Sequence, residues 1–213
     1  MRSRFDISAY LVVGPENTNG RPVPQIIKEA VEAGFTCVQI RSKIASAREL
    51  IELTRHASDV IAESGRSEEV TLLVDDRLDV VLAARKQGIK VDGIHVGQSD
   101  IPVEVCREYL GTSTKPDCGL DLDGKVKIRG FSELAELARL SPIPVVVGGG
   151  VKLDDIPQLA RTGVDGFFVV SAVAGANDPR SEAIRLVEAW KANKLMKAGV
   201  RPDIADYDAD PFL

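Results

Sequence analysis

Thr71-Leu72-Leu73-Val74-Asp75-Asp76 decides the fold of this chain. Four residues suited to a buried strand run directly into two carboxylates, with no turn residue between them. A helical spacing follows, with Val80, Val81 and Ala84 on one side. A continuous apolar strand that ends in charge and passes straight into a helix indicates a parallel α/β sheet with its site at the strands' C-terminal ends. Two neighbouring segments repeat the pattern. Thr36 to Ile40 enters Arg41-Ser42-Lys43, and Val91 to Val96 leads through Gly97-Gln98-Ser99 to Asp100.

Working outward, Ala9 to Val13 forms another apolar run, stopped by Gly14-Pro15. Pro22 then introduces Ile26, Ile27, Ala30 and Val31, a helical spacing closed by Gly34. A helix over about Ser46 to Glu63 carries Leu50, Leu53, Ala57 and Val60. Later come Pro144 to Val147, a helix holding Ile156, Leu159 and Ala160, and a strand from Gly166 to Val170. The last helix is expected to turn Ala183, Ile184, Val187 and Trp190 inward. A doubly wound sheet and a closed barrel both satisfy this alternation. Polar clusters after several different strands favour the barrel, because a doubly wound sheet concentrates its site at one crevice. Glycines after the last two strands, Gly148-Gly149-Gly150 among them, agree with the phosphate cradle that late barrel loops often build. A tight strand-to-helix turn would use glycine as well.

The expected fold is an α/β-class (β/α)8 TIM barrel over residues 1–195, followed by a tail over 196–213. Six strands are visible where eight are needed. Ile101 to Leu110 supplies one short helix, and Gly111 runs into Thr112 without a strand. The reading therefore expects the fifth and sixth strands to be missing between Gly111 and Thr112, a passage of roughly thirty residues. It favours a polypeptide that carries such a passage over a true deletion. Residues 116–130 read as a loop with a short strand pair, turned at Asp123-Gly124.

Composition narrows the function classes. With 213 residues, 44% of them hydrophobic, one sizeable core is possible. A formal charge of -5 gives nucleic acid no general electrostatic footprint. No apolar stretch approaches the roughly 20 residues that cross a bilayer, so no membrane role is expected. Cys37, Cys106 and Cys118 lack zinc spacing. Their odd number and the absence of a signal pattern lead to the expectation of a cytoplasmic protein. Composition leaves the oligomeric state open.

Gln39, Arg41 and Lys43 have period-two spacing and share a face if the strand extends that far. Arg41 can bind a phosphate bidentately, Lys43 as a point charge, and the Gln39 amide can read a heteroaromatic ring. Ordinary surface charge at a strand end is the plain alternative. Asp75 and Asp76 repel each other unless a cation compensates, and magnesium with Asp100 as a further oxygen donor would do so. One of them could instead cap the following helix. Thr112, Thr114 and Lys115 offer two hydroxyls and a cation to a departing phosphate group. His95 could touch substrate or serve as a local hydrogen-bond donor.

In order, Tyr10-Leu11-Val12, Gln39-Ile40-Arg41-Ser42-Lys43, Val74-Asp75-Asp76-Arg77-Leu78-Asp79-Val80 and Asp92 through Asp100 resemble signatures of the thiamine-phosphate synthase family. Thr112-Ser113-Thr114-Lys115, Val147-Gly148-Gly149-Gly150-Val151 and Val169-Val170-Ser171-Ala172-Val173 resemble the later ones. The resemblance covers about residues 9 to 190. It implies a Mg2+-dependent transferase joining hydroxymethylpyrimidine pyrophosphate to hydroxyethylthiazole phosphate. It further implies that Gln39 contacts the pyrimidine, Arg41, Lys43 and Lys115 act on its pyrophosphate, and Thr112 and Thr114 lie on the hydroxyl signature. Asp76 and Asp100 would be the metal ligands, with Asp75, where the family often has asparagine, as a candidate supporting ligand. Gly150, with Ser171 nearby, would hold the thiazole phosphate. Alternatives are a thiazole tautomerase of the same broad family, which would not need all these cations and acids, and a non-catalytic phosphate-ligand module if the middle passage is truly absent.

Overall fold

Each apolar run identified above becomes a strand, and each amphipathic stretch behind it a helix. The computed structural model describes residues 6–111, 118–121 and 130–194, with the main chain alone for 118–121. The strands are β1 (Ala9–Val13), β2 (Cys37–Ile40), β3 (Thr71–Asp75), β4 (Gly93–Gly97), β5 (Cys118–Asp121), β6 (Val146–Val147) and β7 (Gly166–Val169). The helices are α1 (Val23–Ala33), α2 (Ala47–Glu63), α3 (Leu78–Lys86), α4 (Val103–Leu110), α5 (Phe131–Leu140), α6 (Ile156–Arg161), α7 (Ser171–Ala174) and α8 (Pro179–Asn193).

All pairings are parallel, in one sheet of order β5-β4-β3-β2-β1-β7-β6. This order separates the two candidate folds. A doubly wound sheet places a strand from the middle of the chain beside β1. Here the neighbours of β1 are β2 and the last strand, β7. Such cyclic order belongs to a barrel, opened between β5 and β6. Among the described residues the sheet curls into a partial barrel and does not close as eight strands.

The strands' two faces pack separately. Leu11, Val13, Val38, Ile40, Leu72, Val74, Ile94, Val96, Phe167 and Val169 join the helices in the main core. Tyr10, Val12, Cys37 and Leu73, with Val146, Phe168 and Val170, form a second cluster on the concave face. Period-two alternation assigns each residue to its side. Behind the sheet, Phe167 packs edge-on to Phe35 at 6.1 Å and against Trp190 at 5.4 Å. Each aromatic pair contributes about 0.5–1.5 kcal/mol beyond simple burial. Since Phe35 follows α1 and Trp190 lies on α8, these contacts anchor both helices to the barrel's seam.

Several expectations need correction. A strand not counted among the six stands after Thr112: Cys118–Asp121 lies beside β4, in register from Ile94↔Cys118 to Gly97↔Asp121. Sequence reading gave this stretch a short strand pair turned at Asp123-Gly124 and missed its place as a parallel neighbour of β4, because it is four residues long and includes glycine. The chain thus supplies this strand after Thr112, and the count rises to seven; no eighth strand occurs among the described residues. Phe131–Leu140, unassigned from sequence, is a helix that buries Leu134 and Ala138. On α8 the buried residues are Ala183, Leu186, Val187 and Trp190, while Ile184 is exposed. Neither Asp75 nor Asp76 caps α3, whose N-cap is Arg77 without a side-chain hydrogen bond. The tail from residue 196 lies outside the described residues.

Candidate active site

Because every strand runs the same way, the segments after β2, β3, β4, β6 and β7 emerge at one end of the sheet. Their positions follow from the register. Gln39 stands opposite Leu73 on the concave face and is buried, and Asp75 lies level with His95. Gln39 Nε2 donates to the Tyr10 hydroxyl at 2.5 Å, which satisfies a buried amide and fixes its orientation. Tyr10 in turn lies 6.2 Å from the Phe168 ring. Sequence reading passed over Tyr10 and Phe168 as site residues. Alternation from Gln39 and Val12 would have placed Tyr10 on the same face.

Past β2 the chain carries Arg41 and Lys43 toward the acids of β3. Arg41 Nε is 3.2 Å from Asp75 Oδ2. Lys43 Nζ bridges Asp75 Oδ2 at 3.2 Å and Asp76 Oδ2 at 2.5 Å. Adjacent residues of a regular strand point to opposite faces, so two carboxylates in sequence should not reach one ammonium. Asp76 resolves this with a left-handed main chain, φ 56°, while its N–H donates to the His95 carbonyl at 2.8 Å. Aspartate tolerates that conformation better than most residues, at a cost of about 1 kcal/mol. Strain of this sort concentrates at functional sites.

The electrostatics differ between the two acids. Burial and the neighbouring Asp76 charge push the Asp75 carboxyl above its ordinary value, against the pull of Lys43 and Arg41. Burial also opposes the charged form of Asp76. There the Lys43 ammonium prevails, aided by hydrogen bonds with Asp100 and Asp75, and holds the carboxyl low. Lys43 is raised by its hydrogen bond to Asp76. Asp100, exposed after β4, accepts from the Gly97 N–H at 3.0 Å. Among the described residues no group of three metal-capable side chains converges as a ready cage. What exists is a row of oxygens, Asp75, Asp76 and Asp100, the first two of them paired with Arg41 and Lys43. His95 is half-buried on the same face and His56 is exposed.

Beneath the cationic arm lies a residue that sequence reading missed. Glu16, in the 3-10 turn Pro15–Asn17 after β1, accepts from Ser42 Oγ at 2.7 Å and from the Lys43 N–H at 2.9 Å. Its only sequence signal was its place just beyond the Gly14-Pro15 stop.

On the far side of β1 the main chain dominates. A side chain at Gly148 would stand 2.3 Å from the Phe168 ring, and Gly149 and Gly150 take φ 87° and 89° with open space beyond them. Only glycine adopts that pair of conformations without strain. Exposed Ser171 begins α7 on the neighbouring strand. The remaining expected site residues, Thr112, Thr114 and Lys115, lie outside the described residues.

Comparison with known proteins bears on the family and the fold. Residues 9–115 and 123–173 match the family model described as thiamine monophosphate synthase. The chain is 32% identical to the thiamine-phosphate synthase of Syntrophomonas wolfei over 216 residues, covering 88% of this chain and 98% of that protein. It is 34% identical to that of Corynebacterium efficiens over 218 residues, covering 88% and 96%. The solved thiamine phosphate pyrophosphorylase of Pyrococcus furiosus superposes with a TM-score of 0.72 at 28% identity, covering 89% of this chain and 98% of that one. The alignment to the Syntrophomonas protein runs past the stretch of this chain it covers by roughly thirty positions, the size of a strand–helix–strand unit.

Proposed function

The chain belongs to the thiamine monophosphate synthase family, and from that premise we propose that it joins hydroxymethylpyrimidine pyrophosphate to hydroxyethylthiazole phosphate in the cytoplasm, releasing pyrophosphate. It is an enzyme of thiamine biosynthesis and a transferase. The observation that carries the substrate reading is the convergence of Arg41 and Lys43 with Asp75 and Asp76 at the ends of β2 and β3. Cations stored on carboxylates can turn to a pyrophosphate, while the acids accept a divalent ion.

The donor set fits magnesium. Asp76 and Asp100 offer hard oxygens in mutual contact, and the Lys43 ammonium already stands where the acids need positive charge. Asp76 and Asp100 would hold the ion with Asp75 in support, and when bound it would add positive charge against the leaving pyrophosphate. Arg41 and Lys43, with Lys115, grip the phosphoryl oxygens as the methylene–oxygen bond breaks and both bonding electrons leave with pyrophosphate. Thr112 and Thr114 donate to the same group. Gln39, oriented by Tyr10, holds the pyrimidine edge, whose ring and amino group share the positive charge on the methylene carbon. The glycines about Gly150, with Ser171, hold the thiazole phosphate so that the ring nitrogen attacks that carbon. Holding the two partners together supplies the proximity and keeps water from the cation. No protein nucleophile is required.

The test is direct. Purified protein given both substrates and magnesium should form thiamine phosphate and pyrophosphate in equal amounts, and a chelator should stop it. The partial barrel favours one second reading, a binding module that retains the phosphate sites without turnover. Binding of both substrates with no product would establish that reading and reject the synthase.

A further inference from the structure

Between β2 and α2 the segment 41–45 faces two ways. Arg41 and Lys43 reach toward Asp75 and Asp76, whereas Ser42 between them turns back toward the turn after β1. There the Glu16 carboxylate accepts from Ser42 Oγ at 2.7 Å and from the Lys43 N–H at 2.9 Å. Ser42 Oγ also accepts from the Ala45 N–H at 3.0 Å and the Ile44 N–H at 3.3 Å. Three consecutive main-chain donors, 43 to 45, are therefore satisfied through one carboxylate and one hydroxyl. The support itself is braced. Asn17 Oδ1 accepts from the Gly14 N–H at 2.9 Å, and Gly14 packs so closely under Arg41 that a Cβ there would stand 1.8 Å from the Arg41 carbonyl oxygen. The arm's two ends are anchored, Arg41 by its N–H bond to the Val13 carbonyl and Ala45 by packing against the main core, while Ile44 between them is 81% exposed and packs on nothing. Between those ends, hydrogen bonds to Glu16 and Ser42 set the arm's conformation. The two bonds to the Glu16 carboxylate are charge-assisted, a type about twice as strong as neutral ones.

We propose that Glu16 is a positioning residue of the synthase: through Ser42 and the Lys43 main chain it sets the arm from which Arg41 and Lys43 address the pyrophosphate. It acts through those residues and does not touch the substrate. The proposal rests on the reading of Arg41 and Lys43 as pyrophosphate ligands. Without Glu16 the arm can rotate about its strand end, and the two cations settle on Asp75 and Asp76 in geometries that do not match one anion.

Two variants separate orientation from folding. Glu16→Ala removes the single oxygen, Oε1, that accepts from both Ser42 Oγ and the Lys43 N–H, whereas Glu16→Gln keeps a carbonyl oxygen for both. Calorimetric binding of inorganic pyrophosphate with magnesium, and steady-state KM and kcat for each substrate, are measured on the full chain. In Glu16→Ala, pyrophosphate affinity should fall at least tenfold, and the KM for the pyrimidine pyrophosphate should rise by a similar factor. The KM for the thiazole phosphate should stay within twofold, and Glu16→Gln should recover most of the loss. Ser42→Ala, which removes the second leg of the relay, should give an intermediate loss, and it decides the matter if Glu16→Ala does not fold. Wild-type pyrophosphate affinity in folded Glu16→Ala, or in Ser42→Ala when the former is insoluble, overturns the proposal. So does an equal loss for both substrates. Arg41→Ala separates this failure from a failure of the site reading: unchanged pyrophosphate binding there overturns the ligand assignment and the proposal together.

Discussion

Gly14→Ala tests whether the first loop positions the cationic arm. Gly14 has an extended main chain, φ -154°, so an alanine there is not conformationally strained. The obstacle is contact. Its Cβ would stand 1.8 Å from the Arg41 carbonyl oxygen, 2.9 Å from the carbonyl carbon and 3.1 Å from Glu16 Oε2. The nearest neighbours are main-chain atoms, so no rotamer relieves them. Ordinary contact requires a separation of over 3 Å, so the chain at Arg41 must move by more than 1 Å against its N–H bond to the Val13 carbonyl, 3.0 Å long. Overpacking of this kind costs about 1–3 kcal/mol, a fall in Tm of roughly 2–12 °C for a chain of this size. A misplacement of about 1 Å in a positioning group costs on the order of a hundredfold in rate. Steady-state kinetics should show kcat/KM for the pyrimidine pyrophosphate down by about that factor, with the KM for the thiazole phosphate little changed. Ile61→Val is the control. Ile61 is buried on α2, 1% exposed, and its truncation costs about 0.5–1.5 kcal/mol with no route to the site. A Gly14→Ala enzyme whose kcat/KM matches that of Ile61→Val would refute the reasoning.

Other consequences are open to measurement. Asp76→Asn and Asp100→Asn should each lower magnesium-dependent turnover by roughly a hundredfold or more, with the fold retained by circular dichroism; full activity and an unshifted magnesium titration in both would reject the ligand assignment. Gly150→Val, at φ 89°, adds about 1–2 kcal/mol of main-chain strain and should weaken thiazole-phosphate binding more than pyrophosphate binding, as titration of a folded variant with each ligand can show. In a pH titration followed by NMR in the absence of metal, Asp75 should lose its proton above the ordinary carboxylate value and Asp76 below it. The signs for stability are opposite. The raised Asp75 makes folding less favourable as pH rises from the ordinary value through its own, whereas Asp76 contributes stability that is lost as pH falls through its lowered value. Chemical denaturation of Asp75→Asn and Asp76→Asn across acidic pH should reveal that contrast, and identical pH profiles would contradict it.

What sequence could reveal depended on whether a single segment carried the signal. Strands such as Thr71–Asp75 and helices such as α1 were legible because burial imposes a short-range period, two for strands and about 3.6 for helices. Polar residues at the ends of β2, β3 and β4 were legible too, since charge after an apolar run is conspicuous. The place of Cys118–Asp121 in the sheet was not, because a short strand pair around Asp123-Gly124 was all that its own composition suggested, and its parallel pairing with β4 is a long-range contact. The convergence of Asp75 and Asp76 on Lys43 was hidden for a different reason. Alternation sends adjacent strand residues apart, and no pattern in the sequence announces the left-handed turn at Asp76. Glu16 was hidden because its partners, Ser42 and Lys43, are 26 and 27 positions away. Long-range main-chain support leaves no periodic trace.

Pairing explains why the two halves of this site persist in a sheet that, among the described residues, does not close. The arm after β2 and the acids of β3 and β4 lie on one side of β1, while the glycines after β6 and the Ser171 position after β7 lie on the other. β1 is hydrogen-bonded to both flanks, in register from Tyr10↔Cys37 to Val13↔Ile40 and from Ala9↔Phe167 to Leu11↔Val169. Its side chains join them as well: Tyr10 receives the Gln39 amide on one side and packs against Phe168 on the other. The opening between β5 and β6 lies outside this three-strand junction. Loss of pairing there leaves every main-chain bond between the two clusters in place. Geometry between the cationic arm and the glycine loop is therefore set by three adjacent strands, β2, β1 and β7, and does not require closure of the barrel. Closure would bear instead on shielding of the mouth from water, a separate demand that falls on the charge-separated stage of the reaction.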